Sequence, residues 1–303
     1  WRWVFLVVHR RTEVTATMSK ISCVIVSYNN GRYLKEAILS VLQQTFPVKE
    51  ILVADDASTD GSRELVHAMT REYRSIKGIF REQNLGVAAN RDLAIRQACG
   101  ELVTTLDGDD LFLSRKVEAE YLALRSLGTN SAIAFSDICL ATTQGEVYKR
   151  VDTSSFAQLN SKKMLRWLAC RLGPIPRDML LAKSVYLELN GMRHALATYE
   201  DWDFKIRLAA RSGKWLYSGV DGVVYRQHPS GLSAGGPFAQ FNAQRRILWD
   251  NKALLTERIG FAGFAEALLR IAPRVGLQTA SRAMRMVRRA SQHYMSGNDV
   301  GGI

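Results

Sequence analysis

From residue 21 onward the apolar positions alternate between two rhythms. Positions 21–27 are almost continuously apolar (Ile, Cys, Val, Ile, Val), which predicts a strand covered on both faces, as in parallel sheets. Leu34, Ile38, Val41 and Leu42 then recur at helical spacing after the turn residues Asn29, Asn30 and Gly31, and Pro47 closes the helical region. The cycle repeats with a strand at 51–54, a helix at 62–70, a strand at 77–80, a helix at 86–98 and a strand at 101–106. This order predicts an α/β fold, a doubly wound and mostly parallel sheet with right-handed crossovers and helices on both faces. Ligands of such sheets sit outside the carboxyl ends of the strands. After Asp110 the pattern changes to a helix near 115–127, then a hairpin of 132–140 and 147–151 turning at Gln144 and Gly145, then less regular sequence expected to shape an acceptor pocket.

Three of the predicted strand ends carry polar clusters: Tyr28-Asn29-Asn30, Asp55-Asp56-Ala57-Ser58 and Asp107-Gly108-Asp109-Asp110. Carboxylates on a tight turn at a buried strand's edge suit Mg²⁺ or Mn²⁺, which keep waters and bridge to substrate phosphates. From the residues alone, a solvated Asp-Gly turn is an equal alternative for the third cluster. In the second, Asp60-Gly61-Ser62 fits an Asx-turn and helix cap, but two successive aspartates exceed what a cap requires. A carboxylate there can accept from a uracil N3–H or from ribose hydroxyls.

Composition narrows the classes. With 303 residues, 47% hydrophobic and 23% charged, the chain can bury a full core. Its four cysteines (Cys23, Cys99, Cys139, Cys170) show no paired spacing, so neither a zinc site nor a disulfide framework is indicated, and a reduced cytoplasmic protein is expected. A net charge of +12 predicts attraction to polyanions: nucleic acid, anionic lipid or diphosphate-bearing substrates. The apolar run at 3–8 is far shorter than the roughly 20 residues that span a bilayer, so an integral membrane protein is not expected. The first methionine is Met18, just before the first strand, and residues 1–17 are expected to be a non-native or disordered extension. The domain expected is 18–245, in two halves, 18–110 and 111–245, followed by a basic helical region at 246–303.

Taken in order, Val26-Ser27-Tyr28-Asn29, the Asp55-Asp56-x-Ser58-x-Asp60 cluster, Asn84-x-Gly86 with Arg91, and Leu106-Asp107-Gly108-Asp109-Asp110 resemble the family 2 glycosyltransferases of GT-A fold, over roughly residues 20–230. The resemblance implies an inverting transferase that moves a sugar from a nucleotide-diphospho-sugar, with a UDP-sugar favoured. It implies that Ser27, Tyr28, Asn29 and Asp56 hold the base, that Arg91 lies near the base or diphosphate, and that Asp107 faces the ribose. Asp109 would hold a divalent metal, Mn²⁺ or Mg²⁺, together with His228. The family more often has asparagine after that arginine, where this chain has Asp92. The segment Tyr199-Glu200-Asp201-Trp202-Asp203 is similar to the family's acceptor-side acidic motif, with Asp201 as catalytic base and Glu200 and Trp202 on the acceptor side; carboxylates favoured by a helix start explain Glu200 and Asp203 equally well. The glycines at 231–236 suggest a loop closing over the donor.

A sugar-1-phosphate nucleotidyltransferase would need a Gly-rich, Arg-containing loop after the first strand, where Tyr28-Asn29-Asn30 stands instead. A processive synthase would need membrane spans and Gln-x-x-Arg-Trp. A non-catalytic module binding nucleotide sugars or polyanions remains the alternative. Arginines at 270, 274, 282, 285, 288 and 289, with no acidic residue from 267 to 298, predict that 279–295 meets an anionic lipid surface. That contact would place a glycan or lipid-linked acceptor at the inner face of the plasma membrane. Nucleic acid is the less favoured polyanion.

Overall fold

The structure, a computed structural model, describes residues 20–127, 132–211, 213–228 and 236–271. The expectations for residues 1–17, for most of the 231–236 loop and for the basic segment 279–295 lie outside them.

The alternating rhythm yields β1 (Ile21–Ser27), α1 (Gly31–Leu42), β2 (Glu50–Asp55), α2 (Ser62–Glu72), β3 (Ile76–Phe80), α3 (Val87–Gln97) and β4 (Leu102–Asp107). The four strands pair in parallel in the order β3-β2-β1-β4. Every residue of β1 and β2 is buried, and strand pleating sorts them by parity. Ile21, Cys23, Ile25, Ile51 and Val53 join one core with the apolar faces of α1 and α2. Val24, Val26, Leu52 and Ala54 join the other, under α3. Each such valine or isoleucine is worth roughly 1.5–3 kcal/mol relative to exposure, so continuous apolarity here means two covered faces rather than one.

Beyond Asp107 come β5 (Leu111–Phe112), α4 (Lys116–Arg125), β6 (Ile133–Ala141), β7 (Val147–Val151), α5 (Ser154–Ala157), α6 (Ser161–Cys170), β8 (Leu180–Ala182), α7 (Lys183–Glu188), α8 (Glu200–Ala210), β9 (Trp215–Arg226), α9 (Pro237–Asp250) and α10 (Lys252–Ile271). The β6–β7 hairpin forms as expected, with Gly145 at φ 88° in its turn. The sheet continues from β4 through β8, β6 and β9 to β5. β8 is antiparallel to both neighbours, β9 runs parallel to β6, and β5 closes the edge antiparallel to β9. The doubly wound expectation is therefore met, with a mixed second half. β8 and β9 escape the sequence reading because one has three residues and the other is broken by Gly219 and Gly222.

α9 runs across position 245, and its Ile247 and Leu248 sit with Leu255, Phe264 and Ala267 of α10 in the same core as α6 and α8. Among the described residues no helix is long and apolar enough to cross a membrane.

Candidate active site

The carboxyl ends of β1, β2 and β4 open into a cleft of about 1340 Å³. Parallel strands end on one side, so the turns that follow them converge there whatever their separation in sequence. Ser27, Tyr28, Asn29, Asp56, Arg91, Asp107, Asp109, Glu200, Asp201 and His228 all line it.

After β1, Asn29 takes φ 53°, a conformation asparagine tolerates. Its Oδ1 accepts from the Thr59 amide (2.8 Å) and its own amide donates to Ser58 Oγ (2.8 Å), tying the first two turns together. Tyr28 stands half-exposed at the rim. Asp56 is buried and its two oxygens accept from the amides of Leu85 and Gly86, each at 2.9 Å. Gly86 caps α3 at φ 84°, which a side chain would strain. Asp56 thus fixes the 84–86 turn as well as facing the cleft. Asp60 closes the expected Asx-turn by accepting from Ser62 N (3.1 Å) and also accepts from Gly31 N (2.8 Å), joining the starts of α2 and α1, whereas the N-cap of α2 is Gly61 and makes no side-chain cap hydrogen bond.

The turn after β4 gathers carboxylate oxygens of Asp107, Asp109 and Asp110 within 4.8 Å of one another. Their partners differ. Asp107 pairs with Arg91 and, at 3.0 Å, with Arg177. Asp110 is fully buried, accepting from Arg226 N (2.9 Å) and Arg177 (3.2 Å), and burial pushes its carboxyl well above the usual range despite Arg177. Among the described residues Asp109 Oδ2 meets only His228 Nε2, at 2.9 Å. Burial raises the Asp109 carboxyl, the neighbouring Asp107 charge adds to this, and His228 opposes it. A carboxylate and an imidazole with no arginine on either suit Mn²⁺ or Mg²⁺, and a cation would relieve the crowding of three acids, so the donor set fits a divalent metal.

On the other side, α8 starts at Tyr199 (φ 61°) and presents two successive carboxylates. Glu200 is buried and receives Arg91 at 2.6 Å, so Arg91 bridges Asp107 and Glu200. Burial raises Glu200, against Arg91. Asp201 goes the other way: burial would raise it, but the Lys205 ammonium at 2.7 Å, with Arg177 and Arg91 beyond, holds it well below the usual carboxylate range. Burial and charge thus drive two adjacent acids apart, Glu200 upward and Asp201 downward. Asp203 faces the interior, paired with Arg193 (2.9 Å) and Arg207 (2.9 Å).

Trp202 corrects the sequence reading. It is 4% exposed, donates its indole N–H to the Leu168 carbonyl (2.9 Å) and packs in the core, because one helical step turns it about 100° from Asp201. Asp92 is also away from the cleft lining. It accepts from Tyr186, Arg96 and His194, each at 2.8 Å, and holds the 190–194 loop against α3. A Cβ at Gly191, which has φ 63°, would lie 1.9 Å from Asp92 Oδ1, so glycine is what the close approach allows.

Sequence reasoning missed Arg177, Asp178, Lys205 and Arg226, all of which line the cleft. Arg177 stacks on Tyr225 with its guanidinium carbon 3.9 Å from the ring centroid. Apart from Lys205, which stands four residues after Asp201 on the same helix, no local motif marks these residues; they reach the site from β9, α8 and the segment before β8. Among the described residues, four buried polar atoms of lining residues, Ser27 Oγ, Arg91 Nε, Asp178 Oδ2 and Arg226 Nε, have no hydrogen-bond partner. Such atoms are rare in folded proteins.

Residues 22–169 match the family model described as glycosyl transferase family 2. An uncharacterized glycosyltransferase of Haemophilus influenzae is 32% identical over 162 residues, covering 51% of this chain and 63% of that protein. A cholesterol galactosyltransferase of Borreliella burgdorferi is 38% identical over 117 residues, covering 39% of this chain and 32% of that protein. The chain thus spans less than two thirds of either relative. Among solved structures, S. aureus TarS 1–349 in complex with UDP-GlcNAc superposes with a TM-score of 0.65 at 18% identity, over 84% of this chain and 72% of that one, a likeness of fold.

Proposed function

We propose that this chain, which belongs to glycosyl transferase family 2 through residues 22–169, is an inverting transferase that moves a sugar from a nucleotide-diphospho-sugar to an acceptor hydroxyl. The observation that carries this reading is the cleft itself. Along one cavity lie the Asp109–His228 pair and Asp201, whose carboxyl Lys205 holds below the usual range, together with Ser27, Tyr28, Asn29 and Asp56.

In this reading Tyr28 and Asn29, with Ser27 Oγ, receive the base; Asp107, steered by Arg91 and Arg177, faces the ribose and diphosphate. Asp201 accepts the proton of the acceptor hydroxyl as its oxygen bonds the anomeric carbon and the carbon–oxygen bond to the diphosphate breaks, the electron pair leaving with the diphosphate. Attack opposite the leaving group inverts the configuration, and a single carboxylate base suffices. A divalent cation held by Asp109 and His228 would supply Lewis-acid neutralisation of the diphosphate. Glu200, bound to Arg91, orders the start of α8 rather than handling the proton.

A UDP-sugar is the favoured donor, in keeping with the UDP-GlcNAc bound by the TarS neighbour. A glycan or lipid-linked acceptor is assigned, in cell-envelope or extracellular polysaccharide or glycolipid synthesis; the cholesterol galactosyltransferase relative supports a lipid acceptor. Residues 279–295 are assigned to an anionic membrane surface on the cytoplasmic side. Loss of salt-sensitive liposome binding on truncation at Gly276 supports that assignment; unchanged binding overturns it.

A thermal-shift panel of nucleotide sugars with Mn²⁺ identifies the donor by mass action. With that donor, Asp201→Asn keeps its affinity and loses on the order of 10³ in kcat, since a base acts in the chemical step. Equal loss of donor binding sinks the catalytic assignment.

A further inference from the structure

Lys205 is a cation in an unusual place. It is 4% exposed, lines the cleft, and its Nζ donates to Asp201 Oδ2 at 2.7 Å, one helical turn from it. Burying an ammonium is costly unless a counter-charge meets it, and among the described residues Asp201 is the only carboxylate paired with Lys205. Asp201 Oδ1 carries no hydrogen bond among the described residues, and the Asp201 side chain is 44% exposed. One oxygen is therefore held and the other is free in the cleft.

We propose that Lys205 is a positioning residue for the base: by holding Asp201 Oδ2 it keeps the carboxylate ionised and assigns proton uptake to Oδ1. This rests on the reading of Asp201 as base. The charged groups facing Asp201 are Lys205 and Glu200 on α8, Arg91 on α3, and Arg177 from the segment before β8. Arg91 is already shared by Asp107 and Glu200, and Arg177 by Asp107 and Asp110, so Lys205 alone is dedicated to Asp201. The consequence for the reaction is timing. A carboxylate of weakened basicity takes the proton late, once the acceptor oxygen has begun to bond the anomeric carbon and has become acidic. Fixing Oδ2 also removes the side-chain rotation that would present either oxygen, so the acceptor meets one orientation of the base.

The test is a titration that needs no donor. The full chain is labelled with ¹³Cγ aspartate, and the Asp201 resonance is assigned as the one lost in Asp201→Asn. In the wild type that resonance is already ionised at about pH 4 and does not move up to neutral pH. In Lys205→Met, and equally in Lys205→Gln, burial acts against the carboxylate with less opposition, and the Asp201 resonance now titrates within the measured range. Lys205→Arg keeps it low. Circular dichroism confirms that each variant is folded; Lys205→Gln serves if the methionine variant is not. An Asp201 midpoint unmoved in a folded neutral variant overturns the proposal. A second arm follows release of UDP from a mixture of UDP-glucose, UDP-galactose and UDP-N-acetylglucosamine across pH. The acid limb of turnover rises in step with the titration, and the loss it brings is confined to pH near and below the new midpoint. An Asp201→Asn variant that turns over at the wild-type rate removes the base assignment, while the titration still decides whether Lys205 governs Asp201's charge.

Discussion

On the wall built from β1 to β4, the carboxylates and amides are gripped by backbone N–H groups: Asp56 by Leu85 and Gly86, Asp60 by Gly31 and Ser62, Asn29 by Thr59. On the wall built by α8 and the segments packed on it, the acids are gripped by charged side chains: Glu200 by Arg91, Asp201 by Lys205, Asp203 by Arg193 and Arg207. A backbone donor survives any substitution of its own residue except proline. A charged partner does not, and its removal strands a buried ion. The first wall is thus a fixed template, while the second is an electrostatic assembly whose parts depend on one another. Asp107 stands where the two meet, with Arg91 on one oxygen and Arg177 on the other.

The comparison can be broken at several points. The largest effect is expected at the acid turn, where Asp109→Ala removes the carboxylate that meets only His228. Transfer should fall by on the order of 10³ or more and diphosphate affinity should weaken; full transfer in EDTA refutes the role given to this pair. Next, Arg91→Met leaves Glu200 without its cation and Asp107 with one, and should cost about 3 kcal/mol in urea unfolding. A loss below about 1 kcal/mol means that water replaces the guanidinium and that the second wall is less interdependent than drawn. Asp56→Asn keeps an acceptor for only one of the two amides, so about 1 kcal/mol is expected, and a loss equal to that of Arg91→Met erases the distinction between the walls.

The smallest effect concerns Asp92, whose carboxyl burial would raise but Arg96, His194 and Tyr186 hold below the ordinary value. A carboxyl with a depressed folded pKa stabilises the fold above its unfolded pKa and loses that contribution as pH falls through the folded value. Asp92→Asn should therefore cost about 1 kcal/mol at neutral pH, a modest figure because Arg96 and His194 are largely solvated. The deficit should shrink below about pH 4. A deficit that does not change with pH shows Asp92 acting through its hydrogen bonds alone.

The two walls also differ in how well they can be read from the chain. Backbone-held groups sit in turns whose residues are neighbours in sequence, so Asp60-Gly61-Ser62 and the Asp107-Gly108-Asp109 turn are visible as spacing and glycine placement. The side-chain pairs join positions far apart: Arg91 and Glu200 are separated by 109 residues and Asp109 and His228 by 119. Nothing in a window of ten or twenty residues reports such a pairing. Lys205 could have been noticed as the i+4 partner of Asp201, since acid before base at that spacing is a standard helical pair; that both face the cleft could not. Trp202 shows the converse, a residue inside a correct motif whose helical phase sends it into the core.

The sequence by itself determined the alternation of strands and helices, the two-sided burial of β1 and β2, and the placing of three polar turns at strand ends. Hydrophobic periodicity and turn chemistry are local, and a parallel sheet leaves those turns only one side on which to lie. The tertiary structure alone decided that β8 would slip in antiparallel beside β4 and bring Arg177 beneath the acid turn. It also decided that β9 would return to carry Arg226 and His228 to Asp109, and that α8 would aim Asp201 rather than Trp202 into the cleft. These outcomes depend on which surfaces pack together across the whole chain, and the charges that tune Asp201 have no neighbours until that packing is complete.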